Sequence, residues 1–225
     1  MAFCVPRNDQ RVTIIGRTGS GKTVFGAWLL LLSDFEKIPR VIVDYKGDKL
    51  LGAVDRIKEI GLGEVPKHGG LYVVRPLIHD EDAMRSWLWK VWQRERVGLY
   101  FDEAFMLPDS GFGRRGALQA ILTQGRSKEI PVISLVQRPA LISRFVFSEA
   151  EYYAVFDLNV KQDREKVRDL AEQLSVDLIG SLPRYNSVWY DVSDNRAMRM
   201  LPAPAPDEIA ERLNERLRPN RRIYK

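Results

Sequence analysis

Cysteine is almost missing from this sequence: Cys4 stands alone among 225 residues. A single thiol excludes an internal disulfide framework and a Cys-rich zinc module. Histidine is nearly as scarce, and two residues, His68 and His79, make a multi-His metal centre untenable. Long apolar runs are missing too. The longest is Trp28–Leu32, with Val24, Phe25 and Ala27 just before it. It falls far short of the ~20 residues of a membrane-crossing helix, so no integral membrane segment is expected. The N-terminus has no cleavable-signal pattern, which points to a cytosolic-type protein. No internal repeat or long low-complexity tract is visible.

What remains has the make-up of a folded protein. Apolar residues are 45% and charged residues 29%, which excludes disorder as the dominant state. The length suits one α/β domain with a small appendage. The net charge of +5 is localised. Residues 108–128 carry Arg114, Arg115, Arg126 and Lys128 against Asp109 alone, and residues 218–225 carry Arg218, Arg221, Arg222 and Lys225 with no acid. A patchy excess suits a polyanionic partner, although a solvated loop and tail would look the same.

Short β-branched runs alternate with helical patterns over residues 12–174. Val12–Ile15, Arg40–Asp44, Gly70–Arg75, Gly98–Asp102, Val132–Val136 and Tyr152–Leu158 read as strands. Lys22–Leu32, Leu50–Ile60, His79–Arg94, Ala117–Arg126 and Lys161–Leu174 read as helices. The strands do not alternate polar with apolar, as a sheet covered on both faces requires. The expected fold class is therefore α/β, with a central, mainly parallel sheet and helices on both sides. Ser187–Val192 and Arg196–Leu201 read as a β-hairpin around Ser193-Asp194-Asn195. Pro202–Pro206 (PAPAP) reads as a stiff linker and Asp207–Leu217 as a last helix. Residues 1–174 form the expected core, and 175–225 a C-terminal hairpin, linker, helix and basic tail.

One stretch carries chemistry outright. Gly16-Arg-Thr-Gly-Ser-Gly-Lys-Thr23 matches G-x-x-x-x-G-K-[ST], directly after a strand and directly before a helix. In that setting glycines let backbone N–H groups converge on an anion, and the helix N-terminus adds its partial positive charge. The expected nucleotide contacts are Gly16, Thr18, Gly19, Ser20, Gly21, Lys22, Thr23 and Val24. Lys22 would reach the β- and γ-phosphates, and the Thr23 hydroxyl would ligate Mg²⁺. A second strand ends in acids, Leu99-Tyr-Phe-Asp102-Glu103. Ligands bind beyond the carboxyl ends of strands in such sheets, so Asp102 would help hold Mg²⁺ and Glu103 would polarise the attacking water. That pair favours triphosphate hydrolysis over transfer to a substrate hydroxyl. Gln137, at the end of Val132–Val136, is placed to sense the γ-phosphate or the lytic water.

Four blocks now stand in order: GRTGSGKT (16–23), VIVDYKGD (41–48), GLYFDEA (98–104) and QGRSKEIPVISLVQRP (124–139). Over residues 10–160 they resemble the FtsK–HerA superfamily of P-loop ATPases. The compact length and Asp-x-Lys-Gly-Asp look most like the genome-packaging ATPases of tailless, internal-membrane (tectivirus-like) viruses. The resemblance implies a sheet of the additional-strand type, with the strand ending in Gln137 between those ending in Gly16 and Asp102. It makes Lys22, Glu103, Gln137 and Arg126 the catalytic set, with Arg126 acting on a neighbouring subunit's site and Arg138 and Arg144 as lesser candidates. Asp44 and Lys46 match a charged pair with a supporting or linking role. The implied activity is an ATP-hydrolysing, Mg²⁺-dependent double-stranded DNA translocase that packages a viral genome into a preformed capsid. The implied partners are DNA, gripped through Arg114 and Arg115, other copies of the chain in a ring, and capsid or vertex proteins. The implied locations are the host cytoplasm and the packaging vertex. A non-viral DNA pump and an ATP-binding phage assembly protein that never moves DNA are the alternatives. The aromatic trio Trp87, Trp89 and Trp92 divides into a core residue, Trp87, and two that suit either an interface or ordinary packing.

Overall fold

Val12 and Ile14 face one apolar core, while Ile15, on the same short strand, faces another. This explains why the strands carry no polar alternation: neither face meets water. A computed structural model describes residues 3–110, 116–142, 145–170, 174 and 176–218. Among these, the strands are β1 (Arg11–Ile15), β2 (Arg40–Val43), β3 (Lys58–Glu59), β4 (Leu71–Val74), β5 (Gly98–Phe101), β6 (Val132–Val136), β7 (Tyr152–Val155), β8 (Ser187–Asp191) and β9 (Arg196–Met200). The helices are α1 (Lys22–Leu32), α2 (Lys49–Gly52), α3 (Glu81–Arg94), α4 (Ala117–Gln124), α5 (Phe145–Ser148), α6 (Lys161–Arg168), α7 (Val176–Gly180) and α8 (Pro206–Arg216).

All nine strands belong to one sheet, in the order β3-β4-β2-β5-β6-β1-β7-β8-β9. The first seven run parallel; β8 and β9 turn back antiparallel on β7. β6 lies between β1 and β5, as the additional-strand expectation requires. α3 and α4 cover one face through Met84, Trp87, Leu88, Leu118 and Ile121. α1 and α8 cover the other through Phe25, Leu29, Ile209 and Leu213. Trp87 is fully buried, and its indole N–H donates to the Glu64 carbonyl at 2.7 Å, so the expected core role holds.

Several boundaries differ from expectation. The helix expected over Leu50–Ile60 is only the four residues of α2, after which the chain pairs with β4 as β3. Asp48 starts that turn by accepting the Leu51 N–H at 3.0 Å. Gly52, a poor helix former, sits where it stops, and the open edge of β4 captures Ile60 N–H on Val73 at 2.9 Å. The strand expected to reach Leu158 ends at Val155, because the backbone there turns to hold the phosphate loop. α6 ends at Arg168, and residues 171–173 of the longer expected helix lie outside the described residues. The C-terminal hairpin extends the sheet directly, and α8 is fastened over α1. Arg216 grips Glu36 through Nε and one terminal nitrogen, and its other terminal nitrogen reaches the Leu31 and Ser33 carbonyls.

Candidate active site

The phosphate loop is built by steric exclusion as much as by attraction. A Cβ on Gly16 would lie 2.6 Å from both Phe156 Cβ and Ser20 Oγ. Gly19 and Gly21 take φ of 74° and 107°, the left-handed region that favours glycine. Arg17 ties the loop to β7's end: its N–H donates to the Asp157 carbonyl at 3.0 Å, and its Nε to the Asp157 carboxylate at 2.7 Å. α1 then starts at Lys22, so its positive end points into the loop. Ser20 Oγ is buried with no hydrogen-bond partner among the described residues. A buried hydroxyl left in that condition is one a phosphate oxygen would satisfy.

Lys22 is 6% exposed, and its ammonium donates to the Arg17 carbonyl at 2.9 Å. Burial drives its pKa down to about 8; Lys46 and Arg17 push the same way, while Glu103 and Asp102 oppose. Lys22 therefore sits within the electrostatic reach of both acids, although they are eighty residues away in sequence. Asp102 is likewise buried, and burial lifts its pKa to about 6, helped by Asp48, Asp44 and Glu103 and opposed by Lys46. Gln137 completes the contact across β6: Thr18 Oγ1 lies 2.9 Å from Gln137 Oε1, joining the expected sensor to the loop itself.

This geometry can be set beside known proteins. No protein-family model matches the chain. The chain is 35% identical over 222 residues to the protein named DNA packaging ATPase P9 from Enterobacteria phage PRD1, spanning 95% of this chain and 96% of that one. It belongs to the genome-packaging ATPases of the FtsK–HerA superfamily. Solved structures of the genome packaging NTPase B204 from Sulfolobus turreted icosahedral virus 2 share the fold. The sulfate complex gives a TM-score of 0.68 at 17% identity, covering 88% of this chain and 98% of that one. The ATP-gammaS complex gives 0.64 at 17% identity, covering 88% and 100%.

Other predicted residues of this packaging ATPase fall in different places. Arg126 follows α4 in the 3-10 turn Gly125–Lys128, just before β6, and lies 3.6 Å from Asp9, just before β1. That is the amino end of the sheet, a strand length of about 17 Å from the phosphate loop, so Arg126 does not join its own chain's site. Arg138 is at the correct end, but its Nε is held at 2.8 Å by the buried Asp163 carboxylate, which also accepts the Ala140 N–H. Arg114, Arg115, Phe112 and Arg144 lie outside the described residues, as do Arg221, Arg222 and Lys225. Trp89 is exposed, and its ring meets Trp92 edge-on at 5.6 Å. Lys128 caps Trp92 at 4.1 Å from the ring centre.

The Asp-x-Lys-Gly-Asp segment divides its labour. Asp44 is buried and accepts the N–H groups of Lys46, Gly47 and Asp48, shaping a turn in which Gly47 takes φ of 70°. That turn delivers Lys46 Nζ to within 2.8 Å of Glu103 Oε2. The ion pair between Lys46 and the expected catalytic carboxylate was not foreseen. Neither was the Arg17–Asp157 tether. Only the presence of lysine and acid in motifs that share a site pointed towards the first.

Proposed function

We propose that this packaging ATPase hydrolyses ATP to drive double-stranded DNA into a preformed viral capsid. What supports it is a 35% identity along nearly the whole chain with a protein named DNA packaging ATPase. The chemistry follows from the residues. The loop N–H groups, Ser20 and Lys22 bind the phosphates, and their fixed positions favour the charge of the transferring phosphoryl group. Glu103 accepts hydrogen bonding from the attacking water and draws its proton. Gln137, tied to Thr18, relays γ-phosphate occupancy to the loop.

Magnesium takes one or two protein ligands beside nucleotide phosphates, and a hydroxyl plus a buried carboxylate is such a donor set. Thr23 and Asp102 would hold it, and it would supply positive charge against the phosphates. Arg126 acts in trans, on the site of the next subunit in a homo-oligomeric ring; its distance from its own phosphate loop suits that role and no other catalytic one. Arg114 and Arg115 grip DNA phosphates, contacts that carry no sequence information and so suit a motor for any genome. The ring would work at the packaging vertex against capsid proteins in the host cytoplasm.

The test is hydrolysis by the purified chain with and without DNA across a salt series. Glu103→Gln is expected to bind ATP but to turn over at least a hundredfold slower, and Lys22→Ala to do neither. DNA stimulation should fall steeply as salt rises. Full turnover by Glu103→Gln, or stimulation indifferent to salt, would reject the assignment.

A further inference from the structure

Arg40 is a buried charge that the hydrolytic reading leaves unused. It opens β2 at the amino end of the sheet and is only 4% exposed. Its Nη2 donates to Asn8 Oδ1 at 2.5 Å, and its Nη1 is buried with no hydrogen-bond partner among the described residues. It forms no ion pair among those residues, and Asp34 acts on it only through space. The Asp34 carboxylate is already bonded to Lys37 at 2.9 Å. Burial brings the guanidinium's pKa down only to about 10, so at neutral pH it keeps a charge that nothing nearby compensates. The fold nevertheless makes room for it. A Cβ on Gly98, where β5 runs beside β2, would collide with Nη1.

A small cavity borders this group. It holds about 20 Å³, a little more than the ~10–15 Å³ that one water requires and too little for a phosphate. Its walls are mostly apolar, with Val5, Pro6, Leu29 and Pro131 among them. The other polar side chains on its rim are committed elsewhere. Ser33 donates to the Leu30 carbonyl at 2.8 Å. Gln10 accepts the Arg7 N–H and donates to the Tyr152 hydroxyl, and Arg7 pairs with Asp9.

We propose that this cavity is a halide site, in which chloride lies against the Arg40 guanidinium. Size restricts the occupant to a single small species, and charge chooses between water and an anion. A water wants about two to four polar partners, and the rim's remaining polar groups are taken. A monatomic anion tolerates apolar walls, needs no directed donors beyond the guanidinium and supplies the charge that Arg40 lacks. The ion ties the sheet to the segment before β1, because Asn8 shares the same guanidinium. Asp9, the next residue, lies 3.6 Å from Arg126, so occupancy steadies the segment that holds that arginine. The inference stands apart from the nucleotide reading, which uses the opposite end of the sheet.

The experiment uses the full chain without nucleotide and exchanges sodium gluconate for sodium chloride at one ionic strength. The phosphate loop also attracts anions, so the deciding quantity is the difference between wild type and Arg40→Met. Chloride should raise the Tm of wild type by about 3 °C more than that of Arg40→Met, the shift for a ligand near ten times its Kd. In gluconate, Arg40→Met should melt at or above wild type, because it removes an unmatched buried charge and keeps most of the volume. Chloride should also slow amide exchange at Gln10, whose N–H bonds the Arg7 carbonyl at 3.2 Å, by about threefold or more. Wild-type crystals grown in bromide should show an anomalous peak about 3.5 Å from Arg40 Nη1, which tests the site even if Arg40→Met fails to fold. An equal chloride response in the two chains, unchanged exchange at Gln10, or bromide crystals without that peak overturns the halide site. None of those results bears on the assignment of hydrolysis.

Discussion

The two ends of the sheet treat charge in opposite ways. At the amino ends, charges are matched. Arg11 meets Glu151 at 2.6 Å with both side chains nearly buried, and it also donates to the Leu122 carbonyl. Arg96 pairs with Glu129, Lys128 with Glu95, and Arg126 with Asp9. Arg40 is the exception; it is buried beside Asn8, and burial brings its pKa down to about 10. At the carboxyl ends the pairs Arg17–Asp157, Arg138–Asp163 and Lys46–Glu103 ring the site, but the matching stops at its centre. Among the described residues neither Lys22 nor Asp102 has an oppositely charged group within 4 Å, and Ser20 Oγ has no partner at all. The difference separates two uses of buried polarity: at one end it holds the sheet together, and at the other it is kept incomplete until a ligand supplies the missing charge.

Two substitutions of similar size would break that contrast most sharply. Lys22→Met removes a buried, unmatched ammonium. It is expected to abolish hydrolysis while leaving Tm equal to or above wild type. Arg11→Met strands Glu151, a loss of about 3–5 kcal/mol for a broken buried pair, so Tm should fall by about 10 °C. Its turnover per folded molecule should stay within about twofold. Calorimetry and single-temperature kinetics on both chains decide the matter. A Lys22→Met chain as destabilised as Arg11→Met would mean that the lysine supports the fold and the contrast is false.

The same unmatched groups sharpen the contrast through pH. Asp102, with a pKa near 6, carries its charge only above that value, and Lys22, with a pKa near 8, only below it. Both charged forms coexist between them. The profile of kcat/KM should therefore be bell-shaped, falling about tenfold per pH unit beyond either limb. Lys22→Arg, which stays charged throughout, should remove the alkaline limb even if it lowers the plateau. Excess Mg²⁺ should move the acid limb to lower pH, since a cation favours the carboxylate. A flat profile from pH 5 to 9 would show that neither burial shift operates.

What the sequence revealed and what it hid follow from the range of the interactions. The phosphate loop was legible because its chemistry is packed into eight consecutive residues with a strand before and a helix after. Asp102 and Glu103 were legible because an apolar run ending in acids marks a strand's carboxyl end. The hairpin was legible from Ser193-Asp194-Asn195, where Asp191 accepts two turn N–H groups and Asn195 takes φ of 51°. Its docking on β7 was not, since that pairing has no local signature. The Leu50–Ile60 stretch misled because apolar spacing alone does not reveal that the edge of β4 will claim residues 58–60. The cavity lined by Gly21, Tyr185 and Pro202–Pro206 was invisible for the same reason, since its walls come from segments far apart in the chain.

The smallest expected effect concerns Lys46, the cation paired with Glu103 at the carboxyl end. Its ammonium is about half exposed, so its bond to Glu103 is worth no more than about 1 kcal/mol in free energy, or about fivefold in rate. While the pair is made, Glu103 shares an oxygen with Lys46 instead of offering it to water. Lys46→Met should raise DNA-independent hydrolysis two- to fivefold and shrink the ratio by which DNA stimulates it. Lys46→Arg should behave as wild type. If Lys46→Met instead slows hydrolysis with and without DNA by the same factor, Lys46 belongs to the phosphate-binding set with Lys22. The carboxyl end would then hold two ligand-directed cations, and Glu103 would be free of any restraint.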